Sequence, residues 1–327
     1  MFQSMSLPIC RSVVESCGGW DGIRTAVRSL GIDGIEAIWG GAWDEMTPPP
    51  ADIPCGYHLT FWPDWLDFYR DDVTALTRKF GSAEAAYAFY GGRGGEHLIR
   101  DYKADLKRSV AIGAKYVVFH VSDVSLEEGY TYRWEHTHEE VIDAAIECIN
   151  AILKDVEPTF DFLVENQWWP GFTFTDPAQT ARLLEGIDYP RKGILLDTGH
   201  LMNCNTAITS EADGLAYIHS MLDLHGTLSR EIKGMHLHQS VSGAYVRAQG
   251  GRLPVWESDD YNARFGQSYG HILQIDRHQP WTDAGVAALI ARIDPLYLTH
   301  ELSAPDAASK IAAIQTQRDT MRRGGMR

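Results

Sequence analysis

Short apolar runs alternate along the chain with longer stretches in which apolar residues recur every three or four positions. The runs at 7–13, 34–38, 55–60, 116–121, 160–164, 193–196, 232–237 and 296–299 are too short for helices, and most are apolar throughout. Strands buried on both faces of a sheet require such runs. Between them, residues 20–30, 96–112, 138–153, 176–184, 211–228, 283–293 and 305–322 carry helical periodicity. Thr137, followed by acidic residues, is the expected N-cap of the third, and Asp176 ahead of Pro177 that of the fourth. Eight strands alternating with helices predict a parallel sheet closed on itself, a single (β/α)8 barrel over residues 1–327. An open doubly wound sheet is the alternative, but no Gly-x-Gly-x-x-Gly follows the first strand. Residues 91–95, Gly-Gly-Arg-Gly-Gly, have neither a strand before them nor Lys-Ser/Thr after them, and read as a mobile loop rather than a phosphate cradle.

Two connections are long. Residues 61–95, after the third strand, include Phe61, Trp62, Trp65, Phe68, Tyr69, Tyr87, Phe89 and Tyr90; residues 239–281, after the seventh, are rich in Gly, Arg and aromatics. In a barrel, the loops that follow strands form the catalytic face.

Composition narrows the partners. At 44% hydrophobic and 22% charged the chain can bury a large core, and disorder is expected only in the tail after Gln317. The net charge of −15 counts against bulk nucleic-acid binding, which draws its affinity from neutralising phosphates, although bound cations would offset part of it. Five scattered cysteines without a Cys-x-x-Cys pair read as reduced thiols of a cytoplasmic protein. No signal-like start and no apolar run of about eighteen residues appears, so no membrane association is expected.

The candidate chemistry sits where the strands end. The third closes in Gly-Tyr-His58, the fourth in Val-Phe-His120, the fifth in Leu-Val-Glu165, and the sixth in Leu-Asp197-Thr-Gly-His200. The seventh gives Met-His236-Leu-His238, the following loop Asp276-Arg-His278, and the eighth Thr-His300-Glu301. Singly, each has an ordinary explanation: a hydrogen-bonded core histidine, a helix cap, a surface charge. A carboxylate following apolar residues into the interior, however, must be paired or metal-bound. So many ligating groups at one end of a closed barrel converge, and imidazoles with carboxylates suit Zn, Mn or Fe.

This set resembles the endonuclease IV branch (AP endonuclease family 2) of the xylose isomerase-like TIM barrels, over essentially the whole chain. The resemblance is carried by Leu-Asp197-Thr-Gly-His200, Asp276-Arg-His278 and Glu301. It implies one to three divalent ions, Zn or Mn. His58 and His120 would hold a first ion, which Glu165 bridges to a second. Asp197, His236 and Glu301 would complete the second, and His200, Asp276 and His278 would hold a third. The chain departs from that branch at His120-Val-Ser, where the branch has His-Pro-Gly, and at Gln167-Trp168-Trp169-Pro170, where the branch has small residues. It departs again at Leu-His238-Gln239-Ser240, where the branch has a Leu-Asn-Asp-like segment. Residues two apart on a strand share a face, so His238 joins His236 and is expected to meet substrate or metal.

Two chemistries fit. Metal-assisted hydrolysis of a phosphoester uses the full set, on a substrate other than bulk duplex DNA. Isomerisation or epimerisation of a sugar or sugar phosphate needs only Glu165, Asp197, His236 and Glu301 around one ion, with Glu165 and Glu301 as acid–base pair. In that case Trp62, Trp65, Trp168 and Trp169 would form sugar-stacking walls. A non-catalytic metal-dependent scaffold fits least well. Arg247, Arg252, Arg264 and Arg277, beside the third set of ligands, are candidates to bind a phosphate or carboxylate.

Overall fold

In the computed structural model, which describes residues 1–40 and 48–326, the apolar runs become eight parallel strands. They are β1 (Phe2–Ile9), β2 (Gly34–Trp39), β3 (Cys55–His58), β4 (Tyr116–His120), β5 (Asp161–Glu165), β6 (Lys192–Asp197), β7 (Ile232–Leu237) and β8 (Tyr297–His300). Each pairs with the next, and β8 pairs with β1, closing the (β/α)8 barrel. β1 begins five residues before the expected run. Its Ser4 and Ser6 are buried and break the apolar pattern, and Ser4 Oγ lies 3.0 Å from Thr299 Oγ1 across the barrel seam. The interior is filled by Tyr116, Val118, Leu163 and Leu195. Gly56 on β3 makes room for this layer, because a Cβ there would overlap the Tyr116 ring.

Local signals set most helix boundaries. The Thr137 hydroxyl accepts from Glu140 N, and the Glu140 carboxylate accepts from Thr137 N, a reciprocal cap on the helix His138–Leu153. Asp176 accepts from Ala178 N at the start of the helix Pro177–Gly186. Two expectations are corrected. Residues 91–93 form a tight turn between the helices Ala83–Tyr90 and Gly94–Ala111, with Gly91 left-handed (φ 76°), while Gly94 and Gly95 open the second helix and Gly95 is pressed against Tyr69. The tail after Gln317 continues the helix Ala307–Arg323 and buries Thr320 and Met321, so it is packed rather than disordered. Both long connections carry helices, the second of them Gly243–Gln249 and Tyr261–Ile275.

The first long connection is tied down by buried charge. Lys79 Nζ lies 2.6 Å from Asp64 and 2.7 Å from Asp67, and Asp123, just past β4, accepts from the backbone N–H groups of Trp65 and Leu66. No helix among the described residues is long and apolar enough to cross a membrane.

His300, the last residue of β8, is held neutral by its surroundings. Gln317 Oε1 accepts from Trp281 N, and Gln317 Nε2 donates to the Leu237 carbonyl. The second Nε2 hydrogen therefore meets His300 Nδ1, 2.9 Å away, which must be an acceptor. Burial, helped by Arg318, pushes the His300 pKa down to about 3. An unfolded histidine titrates near 6.5, so the stability held in this neutral ring is complete above about pH 6.5 and is lost as pH falls toward the folded value. Between pH 7 and pH 5, wild type should therefore lose about 2 kcal/mol more unfolding free energy than His300→Gln. Urea titrations at the two pH values check this, and equal losses in both proteins would contradict it.

Candidate metal centre

Barrel closure brings the strand-end residues together. His58, His120, Glu165 and Asp197 are the last residues of β3, β4, β5 and β6; His236 is the penultimate residue of β7, and Glu301 directly follows β8. With His200, His238, Asp276 and His278 they form three groups in which ligand atoms lie within 4.8 Å of one another.

The first group is His58, His120 and Glu165. The two imidazole Nε2 atoms are 3.0 Å apart and lie 3.3 and 3.1 Å from Glu165 Oε2. Ligands around a tetrahedral ion with bonds of about 2.0 Å are separated by about 3.3 Å. His58 Nδ1 faces the Leu59 carbonyl at 2.8 Å, so Nδ1 carries the hydrogen and Nε2 of the neutral ring a lone pair.

The second group, Glu165, Asp197, His236 and Glu301, gives the strongest test of fit. His236 Nε2 is 3.0 Å from the carboxylate of Glu36, a fully buried β2 residue that also accepts from Tyr116 and Thr299. The Nε2 hydrogen is thereby committed to Glu36. His236 Nδ1 then faces Glu301 Oε2 at 2.9 Å, Glu165 Oε1 at 3.2 Å and Asp197 Oδ2 at 3.7 Å. A lone pair surrounded by three carboxylates needs a cation, either a proton or a metal, between them. The imidazoles can carry such protons. Burial would raise Glu165, but His120, His236 and His200 hold it well below the usual carboxylate range. His236 and His278 do the same for Glu301.

The third group is His200, Asp276 and His278, joined by His238. Asp276 Oδ2 is 3.2 Å from His200 Nε2 and 2.6 Å from His278 Nε2. The His238 ring stacks on His278 at 4.0 Å, its Nε2 is 2.8 Å from Asp197 Oδ2, and its buried Nδ1 has no hydrogen-bond partner. Burial works against protonation of His278, yet Asp276 and Glu301 push it up to about 9. The loop is held in place by backbone bonds in both directions between Gln239 and Gln279, and by Ser240 Oγ, which accepts from Arg277 N. His278 adopts a left-handed φ of 46°, costly for a side chain of this kind. The groups are continuous: Glu165 gives one oxygen to each of the first two, and His200 Nδ1 lies 3.2 Å from Glu165 Oε1.

Glu36 lies outside the residues expected from the sequence, although a lone acid inside the strand Gly-Ile-Glu36-Ala-Ile carries the same signal as Glu165. Gln167 and Asn166 also support the centre. The Gln167 amide bridges the Nδ1 atoms of His120 and His200 at 3.3 and 2.9 Å, and Asn166 exchanges two hydrogen bonds with the backbone of Asp197.

A cavity of about 890 Å³ opens over the groups. Trp168 and Trp169 line it, whereas Trp62 packs on Phe89 and Tyr90, and Trp65 donates to the Ser122 carbonyl. The four loop arginines are not in its lining: Arg247 donates to the Thr206 carbonyl, Arg252 to Ala248 and Gln249, and Arg264 to the Lys79 carbonyl. Lys310 is the one Lys or Arg among the described lining residues, and its Nζ donates to the Ser6 carbonyl and hydroxyl.

A structure of endonuclease IV from Thermus thermophilus superposes with a TM-score of 0.55 at 15% identity, covering 99% of this chain and 100% of that one. A structure of L-ribulose 3-epimerase gives 0.55 at 10% identity, covering 99% and 94%, and a D-tagatose 3-epimerase-like protein 0.51 at 13%, covering 99% and 98%. At such identities the likeness is one of fold. A search of curated proteins returns no sequence match. The family model described as xylose isomerase-like TIM barrel, that of AP endonuclease family 2, matches residues 25–313. The chain belongs to the xylose isomerase-like TIM barrel family.

Proposed function

We propose that the chain is a divalent-metal hydrolase that cleaves a phosphoester in a small substrate, working as one domain with up to three Zn or Mn ions. His58, His120 and Glu165 would hold one ion; Glu165, Asp197, His236 and Glu301 a second; His200, Asp276, His278 and His238 a third. The third group carries this reading. Chemistry around a single ion needs only the second group, and leaves no role for a left-handed His278 braced against Asp276 and His200. Ions bound there supply Lewis-acid stabilisation of phosphoryl charge and lower the pKa of water.

The chain's own residues supply the rest. Glu165 ties the first two groups together, and Glu36 and the Leu59 carbonyl fix which ring nitrogens of His236 and His58 face inward. The Phe61 ring lies 4.7 Å from His120 and the Trp168 ring 5.1 Å from His200, so aromatic carbon limits water at both ends of the centre.

A second reading, a sugar isomerase or epimerase with Glu165 and Glu301 as acid–base pair, is favoured by one observation: the second group is complete by itself. The two readings separate in assay. Protein loaded with Zn or Mn should hydrolyse bis(4-nitrophenyl) phosphate, and Asp276→Ala should lower kcat/KM by roughly 100-fold or more. Full activity in that variant, or ketose epimerisation with phosphoesters left intact, would overturn the hydrolase reading. Glu36→Gln should weaken metal retention about 10- to 100-fold in competition with a chelator, with an unchanged circular dichroism spectrum. Unchanged retention would remove Glu36 from its orienting role.

A further inference from the structure

The cavity walls differ in character from the centre they enclose, and the difference bears on the substrate. At about 890 Å³ the space suits a small molecule. Next to the third group, Val124, Trp168, Trp169 and Ile275 pack as an apolar cluster separate from the main core, with Ile272 against it. Trp168 and Trp169 stand 4.1 Å apart, and Trp168 reaches to within 5.1 Å of His200. The apolar wall therefore begins at the metal ligands and continues outward along the helix Tyr261–Ile275.

Its rim is exposed. Tyr269 and Leu273 on that helix are 53% and 43% exposed, and Phe61 across the cavity is 44% exposed. Large apolar side chains left in water around a concavity mark a surface that a ligand covers. Cationic groups are scarce, since Lys310 is the sole Lys or Arg among the described lining residues and already donates twice to Ser6. A polynucleotide backbone needs an array of cations, and the chain carries a net −15.

On the hydrolase reading above, we infer that the substrate is a small phosphoester whose remaining part is apolar or aromatic and seats against Trp168, Trp169, Tyr269, Ile272 and Leu273. In the reaction, water oxygen bonds to phosphorus and the ester P–O bond breaks. The proton given up by water goes to the leaving oxygen, which departs as a neutral alcohol or phenol, and no other reactant is needed.

The metal-loaded protein is tested by calorimetric binding of phenylphosphonate and methylphosphonate, which share the anionic group and differ in the apolar one. Phenylphosphonate should bind about tenfold tighter or more. Tyr269→Ala and Leu273→Ala, both at exposed positions, should erode that preference while leaving methylphosphonate affinity and metal content unchanged; Trp169→Ala should abolish it. Equal affinities for the two ligands in the wild type, or a preference unaffected by all three substitutions, would overturn the inference. So would cleavage of an abasic-site duplex more efficiently than bis(4-nitrophenyl) phosphate. A preserved phenyl preference with no hydrolysis of any phosphoester would instead overturn the hydrolase reading and leave the apolar wall standing.

Discussion

Buried negative charge at the strand ends is the constraint on which the rest of this structure depends. Glu165 and Asp197 are fully buried, and Asp276 and Glu301 nearly so, within a few ångströms of the same histidines. Isolated carboxylates in such a place would cost several kcal/mol each, so cationic partners have to converge on them. His200, His236 and His278, whose own pKa values the carboxylates raise, do so, drawing every one of these carboxylates below its ordinary pKa. Barrel closure makes this possible, because it directs residues 58, 120, 165, 197, 236 and 301 at one point although they are far apart in the chain.

The supporting groups follow from the same constraint. Glu36 takes the outward hydrogen of His236, the Leu59 carbonyl that of His58, and Gln167 spans His120 and His200. Glu36 and the Leu59 carbonyl each leave an inward-facing donor atom on the ring they hold, which is what a metal ligand must present. The strained backbone at His278 and the paired bonds between Gln239 and Gln279 follow the same logic, with a loop made rigid where its side chains must point inward.

Much of this was legible in the sequence. Strands buried on both faces produce near-continuous apolar runs, and an ionisable residue ending such a run is conspicuous, as at Leu-Leu-Asp197 and Leu-Val-Glu165. Where the interior is polar the signal fails: Ser4 and Ser6 hide the start of β1, and Glu36 sits mid-strand in β2 rather than at its end. The helical tail after Gln317 is obscured by its charged surface, although Thr320 and Met321 are buried. The destinations of Arg247, Arg252 and Arg264 depend on carbonyls supplied by distant or local backbone, which composition does not encode. Trp168 and Trp65 look alike in sequence, yet one lines the cavity and the other is locked to Ser122.

Anomalous diffraction at the metal edge, from crystals of the loaded protein, would count the ions held in the proposed three-group centre. Three peaks are expected: one within His58, His120 and Glu165, one within Glu165, Asp197, His236 and Glu301, and one within His200, Asp276 and His278. A single peak in the second group, with His58, His120 and His278 free of metal, would contradict the three-group centre.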